Sequence, residues 1–354
     1  MSKYTGLLLV AGCACLPATS FADTPNLSSV LEASGVTLTG YASASYSANF
    51  NDGQLLGFRA YDLDTDTFTV DQASLTIAYL PESGFGAYVN VLAGEDTDVI
   101  NASYGDGDSI FSLPSAYVRY ATGGFTAIAG RYTSLAGYEV TDDSANPFIS
   151  RSFLFQNTQP FFHTGIRASY KFNDFVTTYL GVNNSAPTGS TIDTNKQKTA
   201  EASVVFTPTS SVLLAITDYY GLDDFGVDGT SVGTNIFDVV AQWKPTDHLT
   251  LAFNGDIFTI QTVGQTRGAA FYGLYQINDL IGVRGRIEIA EFDPDGASSI
   301  PIQTYTGALV LSPSKHFDLL AEVRFDTSDD AIFPSGDFLK DNQGNFALKA
   351  IFKF

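Results

Sequence analysis

Cysteine, basic side chains and long hydrophobic runs are all scarce in this chain of 354 residues. Both cysteines, Cys13 and Cys15, fall near the start, so the remainder has no material for a disulfide framework or a thiolate metal site. Beyond that opening segment no run of 18 apolar residues occurs, which excludes helical membrane spans. Lys and Arg number 18 against 38 Asp and Glu, a net charge of −20. Clustered cations for phosphate are missing, so nucleic acid is not an expected partner. There are three histidines, and neither glycine-rich phosphate loops nor zinc-binding helices are found. No cofactor and no enzymatic activity are expected. His163, close to Ser150 and Ser152, is the nearest approach to hydrolase chemistry, but no spacing matches a Ser–His dyad.

Aromatic residues, by contrast, are plentiful: 28 Phe and 18 Tyr, far above what disordered acidic chains carry. The chain begins with Lys3, the apolar run "GLLLVAGCACLPA" and then "TSFAD", in which Ser20 and Ala22 precede Asp23. That reads as a secretory signal over residues 1–22, its apolar run being too short to cross a bilayer. A second reading takes "VAGC" as a lipoprotein cleavage box, leaving a lipid-modified Cys13. Residues 23–35 then form a short periplasmic segment.

From residue 36 onward, short turns flanked by bulky residues recur: "YLPESGF" (79–85), "YATGGF" (120–125), "FNDF" (172–175), "FTPTSSV" (206–212), "WKPTDHL" (243–249), "YQINDLI" (275–281) and "LSPSKHF" (311–317). Each sets Pro, Gly, Asn, Asp or Ser between large side chains, which is turn chemistry. His248 and His316 belong to two of these turns. On either side lie stretches of about 9 to 11 residues with period-2 character, and beyond them longer Asp- and Gly-rich stretches. Seven turns join seven strand pairs, and the single strands 35–50 and 345–354 bring the total to about 16.

The expected fold is therefore all-β, a transmembrane antiparallel up-and-down barrel over residues 36–354 with short periplasmic turns and long extracellular loops. Alternation is clean at 281–292, where Ile281, Val283, Ile287 and Ile289 oppose Arg284, Arg286 and Glu288. It is equally clean at 317–326, but 125–132 and 266–276 have no assignable lipid face. Backbone groups in lipid must all be paired, so the sheet must close on itself. The final stretch fits: Phe346, Leu348, Ala350, Phe352 and Phe354 share one face. Tyr79, Phe85, Tyr120, Phe125, Phe172, Phe175, Phe206, Trp243, Tyr275 and Phe317, with Phe354, are expected to form an aromatic girdle.

Several stretches also resemble a known family. Phe354 with its alternating apolar residues looks like the assembly signal of Gram-negative outer-membrane proteins. "GVTLTGYASASYSANF" (35–50), "VDQASLTI" (70–77), "AYVRY" (116–120), "AGRYTSLAGYE" (129–139) and "SRSFLFQNTQPFFHTGIRASYKFND" (150–174) resemble the OmpL-like β-barrel porins. The resemblance implies a cell outer-membrane location, passage of small hydrophilic solutes and ions, and a homotrimer. It also implies a third long loop, 133–161, folded into the lumen, carrying Glu139, Asp142, Asp143 and Arg151; the alternative is an external flap stabilised by its own Phe and Pro residues.

A 16-stranded barrel is wide enough to hold water, and an Arg on the lipid face costs about 2–4 kcal/mol at the midplane. Arg119, Arg131, Arg167, Lys171, Arg284, Arg286, Arg324, Lys349 and Lys353 are accordingly expected to face inward. Opposed by the loop carboxylates they would set a transverse field. The alternative is local pairing with Glu288, Asp318 and Glu322. Acidic outer loops, 94–108 and 326–341 above all, are expected to attract divalent ions near lipopolysaccharide. "DLDTD" (62–66) lacks the Gly and distal Glu of a calcium loop. A substrate-selective channel, or a plugged barrel serving as adhesin or anchor, remain as alternatives.

Overall fold

The computed structural model describes residues 27–104, 109–185, 195–223 and 230–354. The expected signal at 1–22 and the lipidation site at Cys13 lie outside the described residues. Helix α1 (Leu27–Ser34) precedes β1 (Thr37–Asn49), β2 (Thr67–Tyr79) and β3 (Gly84–Ala93). After α2 (Asp96–Tyr104) come β4 (Phe111–Thr122) and β5 (Phe125–Thr133). The short helix α3 (Phe153–Asn157) leads to β6 (Phe162–Lys171), β7 (Val176–Asn183), β8 (Thr199–Thr209), β9 (Val212–Asp223) and β10 (Val232–Thr246). Next are β11 (Leu249–Ile260), β12 (Gly264–Gln276), β13 (Ile281–Pro294), β14 (Ile300–Ser314) and β15 (Phe317–Ser328). A small hairpin, β16 (Phe333–Ser335) and β17 (Phe338–Lys340), is followed by β18 (Asn342–Lys353).

Sixteen of these strands form one closed antiparallel barrel, each paired with its sequence neighbour, and β15 paired with β18 across the hairpin. All seven short turns fall where the local turn chemistry places them. The ring closes between β18 and β1, from Tyr41 opposite Lys353 to Asn49 opposite Asn345. The Gly40 and Phe354 backbones exchange hydrogen bonds of 3.1 and 2.9 Å just below.

Polarity is inverted relative to a water-soluble sandwich. Phe68, Phe85 and Leu180 are 85, 78 and 67% exposed on the outside, whereas Arg286 and Arg324 are 1% exposed inside. The turn aromatics Tyr79, Phe172, Phe175, Trp243, Tyr275 and Phe354 all lie exposed on the outer surface, as an interfacial girdle requires.

The two strands whose faces could not be read now have them. On β5, Tyr132 is buried inside against His163 of β6, so Ile128 points in and Ala127, Ala129 and Arg131 point out. On β12, Ala270 and Tyr272 point inward and Arg267 outward. Arg267 sits on the outer face beside Glu291, 2.7 Å away.

Candidate functional site: the third loop inside the barrel

Loop L3, residues 134–161, leaves β5 and runs along the inner wall before returning to β6. Its outward path is tied strand by strand. The Leu135 N–H donates to Tyr219 Oη on β9 at 2.9 Å, the Gly137 N–H to Asp238 on β10 at 3.1 Å, and the Tyr138 N–H to Asn254 on β11 at 3.2 Å. Glu139 then meets Arg286 on β13 at 2.6 Å, and Asp143 meets Lys349 on β18 at 2.8 Å. Ser43 on β1 donates to Asp143 at 2.7 Å, and the Asp143 N–H donates to Gln72 on β2 at 3.2 Å.

The return path uses the same wall. The Ile149 and Ser150 N–H groups both donate to the Glu322 carboxylate on β15, at 2.8 and 3.0 Å. The Phe153 N–H donates to Glu288 on β13 at 2.7 Å. Thr158 and Gln159 donate to Asp256 on β11 at 2.6 and 2.7 Å. Backbone amides that would otherwise be orphaned inside the barrel are thus satisfied by inward carboxylates, as buried polar groups must be.

Between these polar rungs the loop presents an apolar side. Phe148, Phe153 and Leu154 pack on Ala252, Ala270, Tyr272, Ala290 and Ile302 of the inner wall. Loop L1, residues 50–66, closes over the top. Arg59 bonds Asp326 on β15 at 2.9 Å and Asn345 on β18 at 3.0 Å, and Phe58 packs on Phe153 and Phe333. Tyr61 lies under the Arg151 guanidinium, 5.1 Å from its ring centre.

The ten expected lining residues divide into groups. Glu139, Asp143, Arg151, Arg286 and Arg324 are only 1–3% exposed; they form the seam between L3 and the wall rather than a water-lined surface. The reason is that the loop lies flat on a wall of mixed charge, its acids meeting Arg286 and Lys349 and its backbone amides meeting the wall's carboxylates. Arg151 braces the loop itself, donating to the Val140 and Thr141 carbonyls at 2.7 Å each and to Asp143 at 3.0 Å. Arg324 pairs with Asp326 on its own strand at 2.7 Å and donates to the Arg151 carbonyl at 2.5 Å. Asp142 accepts from the Ser144 N–H and hydroxyl at 2.7 and 2.6 Å, holding a turn.

Arg167 is buried across the barrel, where Glu201 grips it with two bonds of 2.7 and 2.9 Å. The neighbouring Gly181 makes room for that carboxylate, since a Cβ there would sit 2.1 Å from Glu201 Oε1. Arg131 is corrected: it lies on the outer face, opposite Ala116 and Thr164, and donates to the Leu113 carbonyl at 3.1 Å. Its expected inward placement fails because the strand alternation is set by buried Tyr132 beside it. Arg119 and Arg284 are on the inner wall toward the short-turn end, the first donating to the Pro81 carbonyl at 2.7 Å and the second to that of Pro147.

Burial and ion pairing pull the Asp143 carboxyl in opposite directions. Desolvation pushes the Asp143 carboxyl up, but Lys349 and Arg151 outweigh it and hold its pKa below the ordinary carboxylate value. Ser150, Ser152 and His163, the nearest approach to hydrolase chemistry in the sequence, are engaged in packing and hydrogen bonds. Ser152 Oγ caps α3 by accepting from the Phe155 N–H, Ser150 Oγ accepts from Arg286 at 3.0 Å, and His163 stacks on Tyr219 with ring centres 4.7 Å apart. His248 and His316 each use Nδ1–H to bond a strand-end carbonyl, of Gln276 at 3.0 Å and Lys353 at 2.9 Å.

A closed sixteen-strand ring with a loop lying inside it is the geometry into which the comparisons fit. The family model described as "Putative beta-barrel porin-2, OmpL-like" matches residues 35–354. The chain belongs to this family of outer-membrane porins. No curated protein matches it significantly. Among solved structures, the porin is similar to the anion-selective porin of Comamonas acidovorans, with 13% identity, a TM-score of 0.65 and coverage of 90% of this chain and 99% of that one. It is similar to the outer membrane channel DcaP of Acinetobacter baumannii at 13% identity and a TM-score of 0.63, covering 90% and 97%. The trimer form of OmpT, an outer membrane protein of Vibrio cholerae, gives 11% identity and a TM-score of 0.61, covering 90% and 99%. At these identities the likeness is one of fold. Family membership makes the porin a channel of the outer membrane.

Proposed function

We propose that this porin is a passive diffusion channel for small hydrophilic solutes and ions, with L3 setting its width. The observation that carries the reading is one-sided anchoring: the polar rungs of L3 fall on β9–β11, β13, β15, β18, β1 and β2. The conduit then runs between the loop and the wall of β3–β7. Inward side chains there are partly exposed and mostly polar: Tyr88, Asn90, Tyr117, Arg119, Ser169 and Tyr179. Tyr88 and Tyr117 stack in parallel, with centroids 5.1 Å apart.

In this reading the chain is no enzyme. It works as a homotrimer, is delivered by a signal peptide, inserts through machinery that reads Phe354, and lies among lipopolysaccharide. The trimer form of the similar OmpT supports the assembly state. Planar-bilayer recording of the refolded protein tests the channel: stepwise ohmic openings are expected. A second reading, a plugged barrel serving as anchor or adhesin, is favoured by the near-complete burial of Arg59, Arg286 and Arg324, at 1–2% exposed. A well-folded barrel that never conducts would establish that reading in place of the channel.

A further inference from the structure

Below L3, toward the short-turn end, lies a cavity of about 370 Å³ roofed by residues 143–147 of the loop. That volume falls in the range of small-molecule sites. Its wall comes from strand residues close to the turns, among them Leu274, Arg284, Asp318, Leu320, Ile351 and Lys353.

The charges in this region are settled with one exception. On β13, β15 and β18 the inward basic residues Arg286, Arg324, Lys349 and Lys353 are in ion pairs with Glu139, Asp326, Asp143 and Asp318. Arg284 has no carboxylate within ion-pair distance among the described residues; its described partner is the Pro147 carbonyl. Asp318, which lines the same cavity, is occupied by Lys353 at 2.5 Å and Ser312 at 2.6 Å. A guanidinium carries five N–H donors in a fork that matches a carboxylate, and one of them is engaged here.

A partly buried cation without a counter-ion is costly unless an anion arrives. The flanking Leu274, Leu320 and Ile351 give that anion an apolar surface to lie on, which a hydrated inorganic ion cannot use. We propose that this cavity is a binding site for small organic carboxylates, with Arg284 as the anchor and the aliphatic wall receiving the apolar body. The assignment rests on the channel reading for its purpose, a station on the periplasmic side of the constriction, but not for its chemistry.

Calorimetric titration of the refolded barrel in detergent with sodium benzoate tests the site without any current being measured. Saturable binding at one site is expected, at least tenfold weakened in Arg284→Met and partly retained in Arg284→Lys, which keeps the charge but loses the fork. Inorganic phosphate should bind at least tenfold more weakly than benzoate. On the unaltered protein, benzoate should protect Arg284 from phenylglyoxal, read by peptide mass mapping, while Arg119 stays reactive. That second measurement decides the matter where Arg284→Met does not refold.

Benzoate binding unchanged in Arg284→Met, absent in the unaltered protein, or unaccompanied by protection overturns the site. Phosphate binding as tightly as benzoate overturns the role of the aliphatic wall. A barrel that conducts yet binds no benzoate keeps the channel and loses the site; one that binds through Arg284 yet never conducts does the reverse.

Discussion

Arg286 on β13 and Glu139 in L3 stand 2.6 Å apart with both side chains fully withdrawn from solvent. Arg286 also meets Glu288 at 3.0 Å, so the strand supplies one counter-charge and the loop the other. Removing one member of a buried pair costs about 3–5 kcal/mol, while replacing both by well-packed apolar groups is often neutral. Glu139→Gln is expected to lower the temperature at which the folded barrel loses its characteristic gel mobility and to make the open current noisier. Because Arg286→Leu would strand Glu288 as well, recovery needs all three: Glu139→Leu and Arg286→Leu combined with Glu288→Gln should recover much of the loss. Equal melting of the single and triple variants would mean the pair does not hold the loop.

The Asp143 clamp has its own expected response to acid. Its carboxyl is held below the ordinary carboxylate pKa of about 3.9 by Lys349 and Arg151 despite burial. A depressed acid contributes stability that is present above the unfolded pKa and lost as pH falls through the folded one. The Asp143 bonds should therefore hold from neutral pH down to about 4, and any change of conductance that comes from this clamp should fall below that. Asp143→Asn should bring the acid form's behaviour to neutral pH. A transition near pH 6 in the unaltered protein would exclude this clamp as the controlling group.

Gly181 faces the bore where Glu201 lies flat toward Arg167. With only 2.1 Å available to a Cβ, Gly181→Ala must displace the carboxylate and undo its two-bond grip. A loss of about 3 kcal/mol is expected from the stranded Arg167, seen as reduced folding yield into liposomes. Normal yield and melting would show that the wall yields there instead.

Arg119 carries the test of the conduit's position. If solutes pass along β3–β7, Arg119→Glu should shift the reversal potential under a salt gradient toward cations severalfold, because a charge change in a narrow bore acts at short range. Arg131→Glu, on the outer face, should leave selectivity alone. Equal effects from both would place the conduit elsewhere.

The turns and the closure were legible because they depend on neighbours in sequence: Pro, Gly and Asn fix a bend, and alternation follows the pleat. Legibility failed where the inner wall is apolar. Ala270 and Tyr272 point inward on β12 because Phe148 and Phe153 cover them, and no local pattern announces a loop arriving from more than a hundred residues away. Arg131 was misplaced for a related reason: Ile128 and Tyr132 on the inner side reverse the polarity that β5 would otherwise show. Strand alternation pointed to Arg286, and the family resemblance pointed to Glu139 and Asp143 in the loop. The role of Glu288 and Glu322 as acceptors for L3 backbone amides was missed, since it depends on the course of the loop. Arg59 was missed as well; its partners Asp326 and Asn345 are far along the chain.

Asp143 takes a bond from Ser43 on β1 and another from Lys349 on β18, the two strands whose pairing completes the ring. Nearby, Asn345 reaches Ser47 across 298 residues of sequence. A loop tip gripped from both banks of that join gains its full set of bonds only when the two banks meet. The last event of assembly and the setting of the aperture are then one and the same step.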